Sequence, residues 1–301
     1  MYQEALAESE RHLIYHIIGG KMTKFSLLIK GLFGRTDFSL EMDRPIKFLT
    51  GLNGSGKSTV LKLLYAIYHR DGNFIANVPF ELLSYKDDNY DVSVAKKTPD
   101  ETVSLSLPKK RPTFRYIYMP DCGDSVFTRI FAPFKGEIPD MTDRRHTIPY
   151  NSWMAQRPLN PKKSDSRSKT FSLFRRLWDD NHAYLKFPDI GTELPGNFVS
   201  KQTREPVYYE KLSNGEKRWY MLLYTLVFLV RKGDVLLLDS PEHFLHIAWH
   251  KKIVNIMRDI MESKPFHCLM VTNSSFVIEE DWKDTISIGV QEGVLGNKQK
   301  N

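Results

Sequence analysis

Residues 51–59 read Gly-Leu-Asn-Gly-Ser-Gly-Lys-Ser-Thr, and no other stretch so narrows what this chain can fold into. The run fits the spacing G-x-x-x-x-G-K-[ST] of a phosphate-binding P-loop. That motif needs a strand before it and a helix after it. Ile46, Lys47, Phe48 and Leu49 supply a short apolar–polar strand, and Val60, Leu61, Leu63, Leu64, Ile67 and Tyr68 fall on one face of a helix. Glycines let successive backbone N–H groups turn inward as a nest for phosphate oxygens, and a helix N-terminus adds partial positive charge. Lys57 is placed to reach the β- and γ-phosphates of a nucleotide, and the Ser58 hydroxyl to ligate Mg2+. Asn53, Gly54, Ser55, Gly56, Lys57, Ser58 and Thr59 are therefore the candidate nucleotide-binding residues, with ATP and Mg2+ the expected cofactors.

Composition matters here for what it excludes. The chain has 301 residues, 41% hydrophobic and 26% charged, ordinary for a soluble globular protein. No apolar run is long enough to cross a membrane. Glu4, Glu8 and Glu10 interrupt the start, where a signal peptide would need an unbroken apolar core. A cytoplasmic protein with no membrane partner is expected. Cys122 and Cys268 stand far apart and form no metal motif. Lys plus Arg number 43 against 36 Asp plus Glu, a net +7, which permits contact with nucleic acid without requiring it.

In chain order, residues 1–22 read as an N-terminal extension and 23–301 as a single domain with an inserted lobe at 96–206. Phe25, Leu27 and Ile29, then Phe38, Leu40 and Met42, alternate with polar residues on either side of a turn at Gly31-Leu32-Phe33-Gly34-Arg35. This predicts a β-hairpin feeding the P-loop strand. Residues 69–113 show little order, and a strand signal returns at Phe114-Arg115-Tyr116-Ile117-Tyr118-Met119. Between Met141 and Arg176 there are nine Lys or Arg against two Asp. Residues 160–169 have almost no apolar content and read as a mobile loop. This basic stretch is either a solvated surface or a docking patch for phosphate backbones or an acidic partner. Trp153, Phe171, Phe174 and Trp178 are candidates for packing its base. A long apolar helix is predicted from Lys217 to Val230, ended by Gly233. Val235-Leu236-Leu237-Leu238 has the uniform apolarity of a central parallel strand. A helix from Ala248, a strand from His267 to Thr272 and a last strand at Ile286-Ser287-Ile288 complete the pattern.

Asp239 closes the Val235–Leu238 run, where an acidic residue can hold Mg2+ in a P-loop sheet. Leu212-Ser213-Asn214-Gly215-Glu216 opens the helix before it. This resembles the signature motif of ABC-type ATPases, usually L-S-G-G-Q or L-S-x-G-E, and reads equally as a capping box built from Ser213 and Glu216. The order of P-loop, signature, apolar strand and Asp matches that family over 23–290. The hairpin turn at Leu32-Phe33-Gly34-Arg35, and Asp239-Ser240-Pro241-Glu242-His243-Phe244-Leu245-His246-Ile247-Ala248-Trp249, resemble the SMC-, RecF- and OLD-like branch, whose members commonly read D-E-P-E-x-x-L-H-P-x-W here. His243, His246 and His250 also have loose metal-ligand spacing, but the resemblance of this segment to the ABC family's D-loop explains it better than a zinc site.

The resemblance implies an α/β fold: an ABC-type ATPase head with a mainly parallel core sheet, an N-terminal antiparallel β-hairpin and an inserted basic lobe. It implies hydrolysis of ATP to ADP and phosphate between two chains, with Ser213 and Gly215 receiving the γ-phosphate held by the other chain. Lys57, Asp239, Glu242 and Asn273 are the candidate catalytic residues, Ser58 and Asp239 the Mg2+ ligands, and Phe33 and Arg35 the candidate adenine contacts. Two positions depart from the pattern. Ser240 stands where the family has its catalytic Glu, and a serine is no carboxylate base. Asn273 stands at the switch histidine and cannot titrate near neutrality. Slow hydrolysis is expected unless Glu242 substitutes. Such proteins act in DNA repair, chromosome handling and bacterial anti-phage defence, the last including compact ATPases paired with a nearby-encoded nuclease or toxin. The leading expectation is an ATP-driven oligomeric switch or scaffold for an effector in defence. A DNA-binding repair ATPase and a transporter's nucleotide-binding subunit are the alternatives. The transporter D-E-P-T segment and the long coiled coil of SMC proteins are missing, and no C-terminal Toprim nuclease is expected after the last strand.

Overall fold

Val235, Leu236, Leu237 and Leu238 are each fully buried, and the two sides of the molecule are built on the two faces of their strand. The computed structural model describes residues 24–98, 107–108, 112–119, 165–187, 198–207, 211–278 and 281–288. The expected extension at 1–22, and with it Arg144, Arg145, Trp153, Lys162 and Lys163, lies outside them.

The core is a five-stranded sheet in which every neighbouring pair is parallel. Its order is β12 (Thr285–Ile288), β3 (Ile46–Gly51), β11 (His267–Val271), β10 (Val235–Asp239) and β6 (Tyr116–Met119). Successive side chains of a strand point to opposite faces. Leu49, Val235, Leu237, Leu269 and Val271 share one apolar cluster with the helix α1 (Lys57–His69). Phe48, Leu236, Leu238 and Met270 share the other with α3 (Asp165–Asn181), α4 (Asn214–Tyr224) and α5 (Ile247–Ser263). Helices on both faces explain why the central strands carry no polar alternation.

The predicted hairpin is present as β1 (Ser26–Leu32) and β2 (Thr36–Glu41), with a register shift between Ile29 and Leu32. It does not stand alone. β1 also pairs with β4 (Leu82–Lys86), and β4 with β5 (Asp91–Ala95), giving a four-stranded antiparallel sheet that covers α1. The expectation of little order over 69–113 is therefore corrected for 72–95, which holds a short helix, α2 (Gly72–Asn77), and the β4–β5 hairpin. Leu83, Tyr85, Val92 and Val94 alternate inward there. The Asp87 carboxylate fixes the turn by accepting from the N–H groups of Asn89 and Tyr90 at 2.8 and 2.9 Å, and from the Tyr85 hydroxyl at 2.9 Å.

Two further expectations change. The loop read at 160–169 gives way to α3 from Asp165, because the helix buries its apolar face only in later turns, through Phe174, Leu177 and Trp178. The helix predicted to run unbroken to Val230 leaves the α form at Tyr224 and continues as one wide π turn, Thr225–Leu229. Lys264 Nζ donates to the carbonyls of Leu226 and Val227 there, at 2.7 and 3.1 Å. A small sheet of β7 (Leu185–Lys186), β8 (Phe198–Ser200) and β9 (Pro206–Val207) lies between α3 and α4 in sequence. No helix among the described residues is long and apolar enough to cross a membrane.

Candidate functional site

The loop between β3 and α1 is shaped by the hairpin behind it. Gly56, at the N-cap of α1, has φ 98°, and a Cβ there would lie 2.6 Å from Leu32 Cδ2, so the position needs glycine for both conformation and space. Arg35 donates from Nη2 to the Gly54 carbonyl at 3.1 Å, and Phe33, at φ 54°, is exposed beside the same loop. Both residues read as adenine contacts are thus brought to the P-loop. Lys57 Nζ donates to the carbonyls of Gly51 and Leu52 at 2.8 and 2.9 Å. Burial pulls its pKa down, and the Asp239 carboxylate opposes that pull. The Ser55 hydroxyl is buried with no partner among the described residues, while Asn53 and Gly54 are exposed and Thr59 is half-buried. A buried hydroxyl, a desolvated ammonium and the start of a helix fit a polyphosphate.

Asp239 meets the loop from the end of β10. It is 3% exposed, and its Oδ1 accepts from Ser58 Oγ at 3.0 Å across 181 residues of sequence. Its Oδ2 accepts from the Tyr118 hydroxyl at 3.1 Å. A serine that donates its proton to a carboxylate keeps its lone pairs for a cation, and hard oxygens of this kind suit Mg2+. Ser58 and Asp239 would hold the ion, which when bound neutralises phosphate charge.

Beyond Asp239 the chain turns sharply. Ser240 has φ 47° and donates its N–H to the Val271 carbonyl at 2.9 Å. Arg218 of α4, only 3% exposed, grips this turn: Nη2 donates to the carbonyls of Asp239 and Ser240 at 2.9 and 3.1 Å, and Nε to that of Pro241 at 3.4 Å. Glu242 is buried, and its Oε1 accepts from Thr272 Oγ1 at 2.6 Å and from the Asn273 N–H at 3.3 Å. Its Oε2 is buried without a partner among the described residues. The structure therefore joins Glu242 to the backbone of Asn273, whose own side chain sits at an exposed position. His250 engages Ser274 Oγ through Nδ1 at 3.0 Å and donates from Nε2 to the Leu245 carbonyl at 3.1 Å. No group of three metal-ligating side chains occurs among the described residues.

Ser213 is the N-cap of α4, and the capping box is complete. Ser213 Oγ accepts from the Glu216 N–H at 3.3 Å, and Glu216 Oε2 accepts from the Ser213 N–H at 2.7 Å and from its hydroxyl at 2.8 Å. Gly215 lies so close to the 239–244 turn that a Cβ would be 2.5 Å from the Phe244 carbonyl oxygen. The signature and the Asp239 turn of one chain are thus in direct contact.

Against known structures, the chain is similar to an SMC head solved in complex with the C-terminal winged-helix domain of ScpA. The TM-score is 0.51 at 16% identity, over 89% of this chain and 94% of that one. It has the fold of an ABC-type P-loop ATPase head. A further similarity is to the ADP conformation of an ATP-binding cassette of an ABC transporter, with TM-score 0.43 and 14% identity over 89% and 88% of the two chains. A family model described as "AAA domain, putative AbiEii toxin, Type IV TA system" matches residues 132–279, a stretch that holds the signature and Asp239 but not the P-loop. No curated protein matches the chain.

In this ATPase-head fold, Tyr118 and Arg218 both hydrogen-bond to Asp239, and sequence reading missed both. Tyr118 sits in a strand recognised only by its apolarity, and Arg218 in a helix read for its apolar face. A polar side chain within such a run was the only signal either offered.

Proposed function

We propose that the chain binds ATP and Mg2+ at residues 53–59 and Asp239, and that two chains close on two nucleotides. Each P-loop would then face the other chain's Ser213 and Gly215. The observation that carries this reading is the 3.0 Å contact between Ser58 and Asp239, which joins the phosphate loop to a strand-end carboxylate. Lys57 supplies the cationic contact to the β- and γ-phosphates. With Ser240 at the position of the family's catalytic Glu, hydrolysis to ADP and phosphate is slow and the ATP-bound dimer long-lived. The assembly acts as a switch or scaffold for a separate effector, a nuclease or toxin, in bacterial anti-phage defence. The match to a model described with a toxin–antitoxin system supports that context. Direct nucleic-acid binding through the basic stretch is a second reading, favoured by the nine basic residues between Met141 and Arg176.

Sedimentation with and without ATP and Mg2+ tests the main reading. The parent chain should double in mass with nucleotide, and Lys57→Ala should neither bind ATP nor dimerise. If Lys57→Ala binds ATP as tightly as the parent, the P-loop assignment is wrong.

A further inference from the structure

We infer that His182 is a positioning residue for the signature loop, so that the end of α3 governs how well Ser213 is presented to a partner's phosphate. The inference rests on the reading above, in which Ser213 and Gly215 receive the γ-phosphate of a second chain.

His182 follows directly on the last residue of α3 and is 3% exposed. Its ring stacks on Trp178 with centroids 4.8 Å apart and lies 5.9 Å from Trp249. The orientation of the imidazole is set by the chain just after it. Nδ1 accepts from the N–H of Leu185 at 2.9 Å and from the N–H of Tyr184 at 3.2 Å. An imidazole nitrogen that accepts carries no proton, so in the neutral ring the proton is on Nε2. Nε2 therefore donates, and its partner at 2.9 Å is Glu216 Oε1. The other Glu216 oxygen holds the N–H and the hydroxyl of Ser213.

This makes a one-directional relay from the backbone at 184–185, through His182 and Glu216, to Ser213. A capping box needs only one carboxylate oxygen. Here the second oxygen is tied to a residue 34 positions earlier, on a different element. The anchorage is firm at its far end. Trp249 Nε1 donates to the Asn181 carbonyl at 2.8 Å, and Lys201 Nζ donates to the carbonyls of Asp179 and His182 at 2.8 and 2.6 Å. Burial holds the His182 pKa below its usual value against the pull of Glu216, which keeps the ring in the neutral, one-donor form. A carboxylate held at both oxygens cannot swing toward an approaching phosphate, where its charge would repel. Released from His182, it rotates about Ser213 and the signature loses its preorganised shape.

The test compares His182→Asn with His182→Gln in the full chain. Asparagine keeps an acceptor for the 184–185 backbone but is too short to reach Glu216, whereas glutamine can place an amide N–H near the Nε2 position. ATP binding is measured by titration calorimetry, and dimer formation with ATP and Mg2+ by sedimentation. His182→Asn should bind ATP like the parent and raise the dimer dissociation constant on the order of tenfold, the usual worth of one hydrogen bond to a charged group. His182→Gln should recover most of that loss. The inference is overturned if His182→Asn dimerises like the parent, if His182→Gln is as weak as His182→Asn, or if either variant loses ATP affinity, since each result points to packing alone. Ser213→Arg separates the two levels. If it too leaves ATP-dependent dimerisation intact, the signature reading itself fails; if it abolishes dimerisation while His182→Asn does not, only the role of His182 fails.

Discussion

Replacing Ser240 by Glu is the sharpest perturbation of this site. General-base catalysis is typically worth about 10²–10⁴-fold, or roughly 3–5 kcal/mol of barrier. The parent lacks a carboxylate at this position, and the next one along, Glu242, is already held by Thr272 and the Asn273 backbone. The substitution carries little extra backbone cost. Ser240 already sits at φ 47°, a left-handed conformation costing on the order of 1–2 kcal/mol for any L-residue with a Cβ, so serine and glutamate bear it alike. The anchors of the turn are unchanged, since Arg218 grips carbonyls and the Ser240 N–H meets Val271. Ser240→Glu should therefore raise phosphate release at saturating ATP and Mg2+ by roughly 10²-fold, and shorten the lifetime of the ATP dimer in proportion. Glu242→Gln keeps an oxygen for Thr272 and Asn273 and should change the rate little. The reasoning is refuted if Ser240→Glu binds ATP normally yet turns over no faster. It is equally refuted if the parent hydrolyses briskly and Glu242→Gln abolishes that activity; Glu242 would then be the catalytic carboxylate.

Gly215→Ala forces a methyl group against the Phe244 carbonyl, with 2.5 Å available. ATP affinity should hold while ATP-dependent dimerisation weakens, and urea unfolding should register a loss of about 1–3 kcal/mol. Neutralising Arg144, Arg145, Lys162, Lys163, Arg175 and Arg176 together should weaken binding to a DNA duplex and flatten its salt dependence; unchanged binding returns the stretch to a solvated surface. His267 stacks edge-on against Phe114 with its Nδ1 buried and without a partner among the described residues, and burial pushes its pKa down to about 4. Between the ordinary histidine value and that lower one, only the unfolded chain takes up the proton, so stability falls as pH drops through this window and levels off below it. His267→Phe should remove about 2 kcal/mol of the parent's stability difference between pH 7 and pH 4.5, read from urea midpoints at the two values.

Sequence pattern was a good guide to the fold wherever one periodicity ruled a whole element. The hairpin, the P-loop strand and the helix after it were legible because each alternates or repeats cleanly over several residues. The β4–β5 hairpin was not, since its inward residues, Leu83, Tyr85, Val92 and Val94, are separated by charged and turn-forming residues that read as loop. Its register depends on pairing with β1, more than fifty residues earlier by the match of Leu27 to Tyr85. The start of α3 failed for a related reason: its first turn is polar, and only Phe174 and Trp178, further along, say which face is buried.

The site divides along the same line. Lys57, Ser58 and Ser213 stand in motifs whose spacing is local, and Asp239 was legible because a uniformly apolar strand ends on it. What the motifs could not convey is how many elements meet at that one residue. Its carboxylate takes Ser58 from α1 and Tyr118 from β6, while its carbonyl takes Arg218 from the signature helix, 21 residues back. The strand beneath is buried on both faces and hydrogen-bonded on both edges, so it cannot drift to accommodate one partner at the expense of another. Phosphate loop and signature are therefore referred to a single fixed point in the same chain, one through the side chain of Asp239 and the other through its backbone. Such a junction is assembled from single polar residues inside apolar runs, each matched to a distant partner. Composition and periodicity average those residues away, and only the folded chain shows what they hold.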